Sequence, residues 1–158
     1  MLSDPTGAGL RAWEALEVCS CDLVPPGAPG HAYNEAAFRY LLAFEQKRAR
    51  RLRTSFLLVL IRPKRNGAPA VRIEASVATA IFSCVSRCLR DGDFIGWYRE
   101  GRVIGAVLAQ GATPPTSDLA ASIGQRFTAT LAHALPGHVG MELHVRVLQL
   151  LSRDNQKR

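Results

Sequence analysis

Arg90 and Asp93, with Asp91 and Gly92 between them, are spaced to hold the polar edge of a ligand. A guanidinium donates two parallel hydrogen bonds from a rigid fork and a carboxylate accepts them, so such a pair reads acceptors and donors side by side. Arg87 precedes Arg90 by one helical turn and adds a cation for phosphate or stacking contacts. The same short pattern equally describes a local ion pair, or Asp93 capping a turn between a helix and a strand. Just downstream, Arg99, Glu100, Gly101, Arg102 and Val103 form a charged turn between two strand-like runs.

Other chemistries find little support. His31, His133, His138 and His144 are scattered with no nucleophile pattern beside them, which argues against a hydrolytic triad. Cys19 and Cys21 form Cys-x-Cys and Cys84 and Cys88 form Cys-x-x-x-Cys. That combination lacks the spacing of a structural zinc site, and no His or carboxylate cluster completes it, so reduced, partly buried thiols are expected. Gly92, Gly96, Gly101 and Gly105 are spaced for turns and strand packing, not as a phosphate-cradling loop that opens a helix. Neither a metal nor a cofactor is expected.

The elements that must position these residues can be read from periodicity. Residues 1–30 are rich in Gly, Pro and Ala and read as a leader or linker, with a short helix from Leu10 to Val18 as its one candidate element. Asn34 can cap a helix running from Glu35 to about Leu52, along which Phe38, Leu41, Leu42, Ala49 and Leu52 form an apolar stripe interrupted by Glu45. Ser55 to Ile61 is a continuous apolar run closed by Pro63, the pattern of a central strand buried on both faces. Ile73, Val77, Ile81, Val85 and Leu89 step by four and predict a helix ending near Asp91-Gly92.

Phe94 to Glu100 and Val103 to Gln110 then form a hairpin about Gly101, with one of Trp97 and Tyr98 in the core. A helix follows from about Thr116 to Leu135, capped by Thr116 or Ser117, with Leu119, Ile123, Phe127 and Leu131 on one face. Met141 to Leu151 alternates as a last strand, and residues 152–158 form a polar tail. After the first helix the order is strand, helix, strand, strand, helix, strand. This predicts an α+β fold with a ferredoxin-like βαββαβ core, to which the first helix adds a cover for an edge or the second face.

Composition bounds the class. A chain of 158 residues, 47% of them hydrophobic, suits a single packed domain, taken as 31–151. It has no apolar run of the roughly 18 residues that suggests a membrane span, and no basic-then-apolar start of a secretory signal, so a cytoplasmic location is expected. The net charge of +7, from 20 basic and 13 acidic residues, favours polyanionic partners. Much of it lies in Lys47 to Arg53, whose cations spread around a helix as a solvated face and carry no interleaved aromatics for base stacking.

Three local segments, in order and spacing, resemble a known family. Tyr33 to Phe38 (YNEAAF) is similar to an Asn-Arg-x-x-Phe entry segment, Glu45 to Arg51 (EQKRARR) to a Glu-x-x-Arg-Ala-x-Arg helix end, and Leu89 to Tyr98 (LRDGDFIGWY) to a Leu-Arg-x-x-Asp lead into a hairpin. From about Gly30 to Leu150 the chain therefore resembles the diguanylate cyclase, or GGDEF, domain, a cyclase-like variant of the βαββαβ core. The resemblance places the signature on Arg99, Glu100, Gly101, Arg102 and Val103, and none of it is retained. Arg99 and Glu100 replace the paired glycines that let nucleotide approach the backbone, and Gly101 and Arg102 replace the acidic positions.

Leu60 and Arg62 stand near the family's Asp-x-Asp metal element, and Pro63 to Ser76 lacks its base-reading residues, Asn66 reading as a turn residue. The expectation is a domain without cyclase activity. Arg90 and Asp93, with five residues between Asp93 and the signature position, match the family's inhibitory site for cyclic di-GMP, in which arginine faces guanine O6 and N7 and the carboxylate accepts from N1–H and the amino group. The resemblance thus implies a signalling receptor or protein-interaction module, acting through a protein partner or as a homodimer, with cyclic di-GMP as its ligand. Two other readings stay open: a basic ferredoxin-like domain binding nucleic acid through Lys47 to Arg53, and a purely structural dimerisation domain.

Overall fold

A computed structural model describes residues 32–64, 71–109, 117–135 and 142–151. The expected leader with its helix, Cys19 and Cys21, the Asn66 turn, Thr116 and the tail at 152–158 lie outside the described residues. The elements are β1 (Ala32–Tyr33), α1 (Glu35–Leu52), β2 (Ser55–Pro63), α2 (Ala75–Ser86), β3 (Phe94–Arg99), β4 (Val103–Ala109), α3 (Ser117–Ala134) and β5 (Leu143–Leu151). They form one sheet in the order β1-β3-β4-β2-β5. All pairings are antiparallel except β1 with β3. Removing β1 and α1 leaves the βαββαβ core with β2 and β4 at its centre.

The two faces of the sheet sort by alternation along each strand. Leu57, Val59 and Ile61 of β2, Ile95 and Trp97 of β3, and Ile104, Ala106 and Leu108 of β4 pack beneath α2 and α3. Phe56 and Leu58 of β2 and Val107 of β4 face the other way, onto Phe38, Leu42 and Ala49 of α1. The first helix therefore covers the second face, which is why β2 tolerates a continuous apolar run. Trp97 is the core partner of its dipeptide and meets Phe82 edge-on at 5.3 Å, whereas Tyr98 stands against Phe38 on the α1 side.

Local chemistry sets the boundaries. Asn34 Oδ1 accepts the Ala37 N–H at 2.8 Å, the expected cap, and Arg53 ends α1 in the left-handed region at φ 52°. That turn leaves Leu52 exposed, contrary to its expected place in the stripe. Helix α2 is shorter than the Ile73 to Leu89 periodicity predicts. The Ile73 N–H is drawn instead to the Gly101 carbonyl at 2.8 Å, and the last turn closes through Cys88 N–H to Val85 O and Leu89 N–H to Ser86 O. Gly92, at φ 91°, turns the chain into β3 as expected.

Leu119 is a second correction, exposed in the first turn of α3 while Phe127 and Leu131 are buried. Strand β3 ends at Arg99, one residue short of expectation, and β5 starts at Leu143; Gln110 and Met141, the expected outer ends of β4 and β5, lie outside the described residues. Among the described residues no helix is long and apolar enough to cross a membrane.

Candidate functional site

Two charged features sit at opposite ends of β3, a strand of six residues, and so lie roughly 20 Å apart at ~3.3 Å per residue. At its start is the Arg90–Asp93 turn; at its end is the charged hairpin.

The hairpin is held from both sides. Gly101 adopts φ 71° and the Arg102 N–H closes onto Arg99 O at 3.0 Å, a tight turn that glycine makes without steric cost. A register shift between Trp97 and Arg99 marks a bulge just before it. On the α1 side, Glu35 Oε2 accepts the Glu100 N–H at 3.0 Å, and Glu35 Oε1 pairs with Arg39 at 3.0 Å. Arg39 in turn lies 5.7 Å from the centroid of the Tyr98 ring. On the other side, Gly101 is bonded through its carbonyl to Ile73, and the Arg72 guanidinium covers it so closely that a Cβ there would lie 2.9 Å from Nη2.

Between this hairpin and the end of β2 lies a cleft of about 340 Å³. Leu60, Val71 and Val103 supply apolar lining, and Arg62, Arg99, Arg102 and Arg146 bring four guanidiniums to it. None of the four makes an ion pair or side-chain hydrogen bond with another described residue. Among the described residues no carboxylate lines the cleft. The one acidic residue of the turn, Glu100, lines a different recess with Asn34, Glu35, Ala36 and Arg39.

Hard divalent cations take oxygen ligands, and this set of side chains offers guanidinium groups instead, so it does not fit a magnesium-type ion. Nor does any group of three or more His, Cys, Asp and Glu elsewhere among the described residues have the geometry for a metal.

The turn at the other end of β3 is organised around one buried carboxylate. Asp93 accepts the Arg90 N–H on Oδ2 and the Ala109 N–H on Oδ1, both at 2.9 Å. Its side chain is 2% exposed, against 71% for Arg90, whose Nε lies 3.9 Å from Oδ2. The Arg90 fork reaches the Ala109 carbonyl at 3.4 Å. Asp93 therefore ties the α2–β3 turn to the end of β4, while most of the Arg90 side chain faces solvent. Arg87 stands at the C-terminal cap of α2 and is exposed.

The structure brings together Arg90 with Asp93, and Leu60 and Arg62 with Arg99, Arg102 and Val103 of the hairpin. Three participants were missed. Arg146 reaches the cleft because β5 pairs with β2 in a register that sets it opposite Leu60; alternation gave its face but not its neighbour. Glu35 and Arg72, which brace the hairpin, carry no sequence signal beyond their charge.

No family model and no curated protein matches the chain, but solved structures do. The FimX GGDEF domain from Pseudomonas aeruginosa superposes with a TM-score of 0.58 at 13% identity, covering 84% of this chain and 85% of that one. The fold is that of a GGDEF domain. The GGDEF domain of DgcB from Caulobacter crescentus, in complex with c-di-GMP, gives a TM-score of 0.56 at 11% identity over 78% of this chain and 73% of that one. The diguanylate cyclase SiaD from Pseudomonas aeruginosa, in complex with its activator SiaC, gives 0.59 at 15% identity over 94% of this chain and 55% of that one. Within the GGDEF fold, the arginine-lined cleft lies where β2 ends beneath the β3–β4 hairpin.

Proposed function

We propose that this GGDEF-fold chain is a signalling receptor or protein-interaction module without diguanylate cyclase activity. The observation that carries the reading is the cleft beside the hairpin, which presents four arginines and, among the described residues, no carboxylate. Cyclisation of nucleoside triphosphates needs metal ions to neutralise phosphate charge and aid attack by a hydroxyl, and these side chains cannot hold them. Arg99 and Glu100 also add bulk to a turn that otherwise leaves its backbone open to nucleotide.

The Arg90–Asp93 turn is the proposed cyclic di-GMP site, supported by its spacing and by the c-di-GMP complex of the similarly folded DgcB domain. Because Asp93 is occupied by backbone N–H groups, the exposed Arg90 makes the principal guanine contact and Arg87 assists at phosphate. Two aromatic side chains one turn apart on α1, Tyr40 and Phe44, are 54% and 58% exposed and support the interaction-module half of the reading. The SiaD–SiaC complex supplies a precedent for a GGDEF-fold protein with a protein partner.

Calorimetric titration with cyclic di-GMP tests the receptor half. Saturable heat that falls at least tenfold in affinity in Arg90→Ala supports it. No heat at high micromolar ligand removes it and leaves the interaction module.

A further inference from the structure

We infer that the four-arginine cleft is an anion site for a ligand carrying two or more linked phosphoryl groups, bound without a divalent cation. This goes beyond the receptor reading above, concerns the opposite end of β3, and stands whether or not Arg90 binds cyclic di-GMP.

The argument starts from charge. Arg62 is the penultimate residue of β2, Arg146 comes from β5, and Arg99 and Arg102 flank the hairpin turn, so three separate stretches of chain deliver cations to one cleft. Like charges so gathered repel one another, and here no described carboxylate offsets them. By contrast, Arg39, Arg48, Lys64 and Arg90 each have an acidic partner within 4 Å. A cluster of unpaired guanidiniums around a concavity is the arrangement that a polyanion relieves, and the planar fork suits phosphate oxygens in bidentate fashion.

Size selects among anions. About 340 Å³ lies within the range of small-molecule pockets and exceeds what a single phosphate fills. Leu60, Val71 and Val103 add an apolar side to the cleft against which a ligand's non-phosphate part can pack.

The donor set also determines the metal dependence. Magnesium and guanidinium compete for the same phosphate oxygens, and no described residue of the cleft offers a carboxylate to hold the cation in a ternary complex. Magnesium therefore weakens binding here, the reverse of its effect where a metal bridges protein and nucleotide.

The test is calorimetry on the full chain with inorganic tripolyphosphate, GTP and ATP, each in EDTA at low salt and again with excess magnesium. All three bind in EDTA, magnesium and added salt weaken the binding, and Arg62→Ala with Arg146→Ala lowers affinity about tenfold per arginine. Arg62→Lys with Arg146→Lys keeps the charge, loses the fork and gives a smaller loss.

Arg50→Ala with Arg51→Ala removes the same net charge from the exposed end of α1 and changes affinity less than about twofold. Equal affinity for the three probes assigns recognition to the phosphate chain alone; a preference for one nucleotide adds a base contact to it. The inference is overturned by absence of binding at millimolar tripolyphosphate and nucleotide, by binding that requires magnesium, or by equal losses in the two alanine pairs. An RNA oligonucleotide that binds through Arg62 and Arg146 while tripolyphosphate does not would also overturn it.

Discussion

Replacing Asp93 with alanine removes two hydrogen bonds at once from the junction between α2, β3 and β4. Its carboxylate accepts the Arg90 and Ala109 N–H groups at 2.9 Å each while being 2% exposed. A hydrogen bond to a charged group contributes roughly 1.5–3 kcal/mol, and a buried donor left unpaired costs about the same. The Arg90 N–H sits in an exposed turn and regains a water partner, so most of the cost falls on the Ala109 N–H. A loss of about 2–3 kcal/mol follows, or roughly 4–12 °C in Tm for a chain of this size.

Arg90→Ala acts on the other member of the pair, 71% exposed and 3.9 Å from the carboxylate, and costs under ~0.5 kcal/mol. Asp93→Asn keeps one acceptor and falls between the two. Urea and thermal unfolding of the three variants supply the comparison. An Asp93→Ala loss below ~0.5 kcal/mol, or an Arg90→Ala loss equal to it, would refute the assignment of Asp93 as the brace of this turn.

Further outcomes follow from particular contacts. Gly96→Ala destabilises by about 2 kcal/mol or more, because its Cβ would lie 2.5 Å from the Tyr33 carbonyl oxygen of β1, and backbone cannot yield as a side chain does; equilibrium unfolding measures it. Gly105→Ala overpacks against the buried Phe38 ring, 2.7 Å from the new methyl, and costs about 1–3 kcal/mol by the same measurement. Cys84 resists alkylation at pH 8 relative to Cys88: burial pushes its thiol up, the neighbouring Cys88 adds to the effect, and its Sγ donates to Thr130 O at 3.6 Å. Peptide mapping by mass spectrometry reads the two rates, and faster modification of Cys84 would contradict the packing of α2 on α3.

Much of this architecture is legible in the sequence because local chemistry and tertiary packing agree there. The Asn34 cap, the two-sided burial of β2, the four-residue stepping through α2 and the Gly101 turn each have a short-range cause. What escaped depends on partners distant in the chain. Strand β1 is only two residues long and exists because Ala32 and Tyr33 pair with Ile95 and Gly96, a contact that no periodicity announces.

Leu52 and Leu119 sit at apolar positions of their helices but in the last turn of α1 and the first of α3, and both are exposed. The candidate site divides likewise. The Arg99–Val103 turn and the Arg90–Asp93 spacing could be read directly, but the convergence of Arg146 with Arg62 required the β2–β5 register. The use of Asp93 by the Ala109 backbone required the end of β4.

We propose that the hairpin cleft of this GGDEF-type fold, lined by four arginines, supports no cyclisation of nucleoside triphosphates. Incubation of the full chain with GTP and excess magnesium or manganese, followed by mass-spectrometric detection of cyclic di-GMP, tests this most directly. The account predicts no product above a protein-free blank. Cyclic di-GMP that accumulates with time and enzyme concentration, and that is lost in Arg62→Ala or Arg102→Ala, would contradict it.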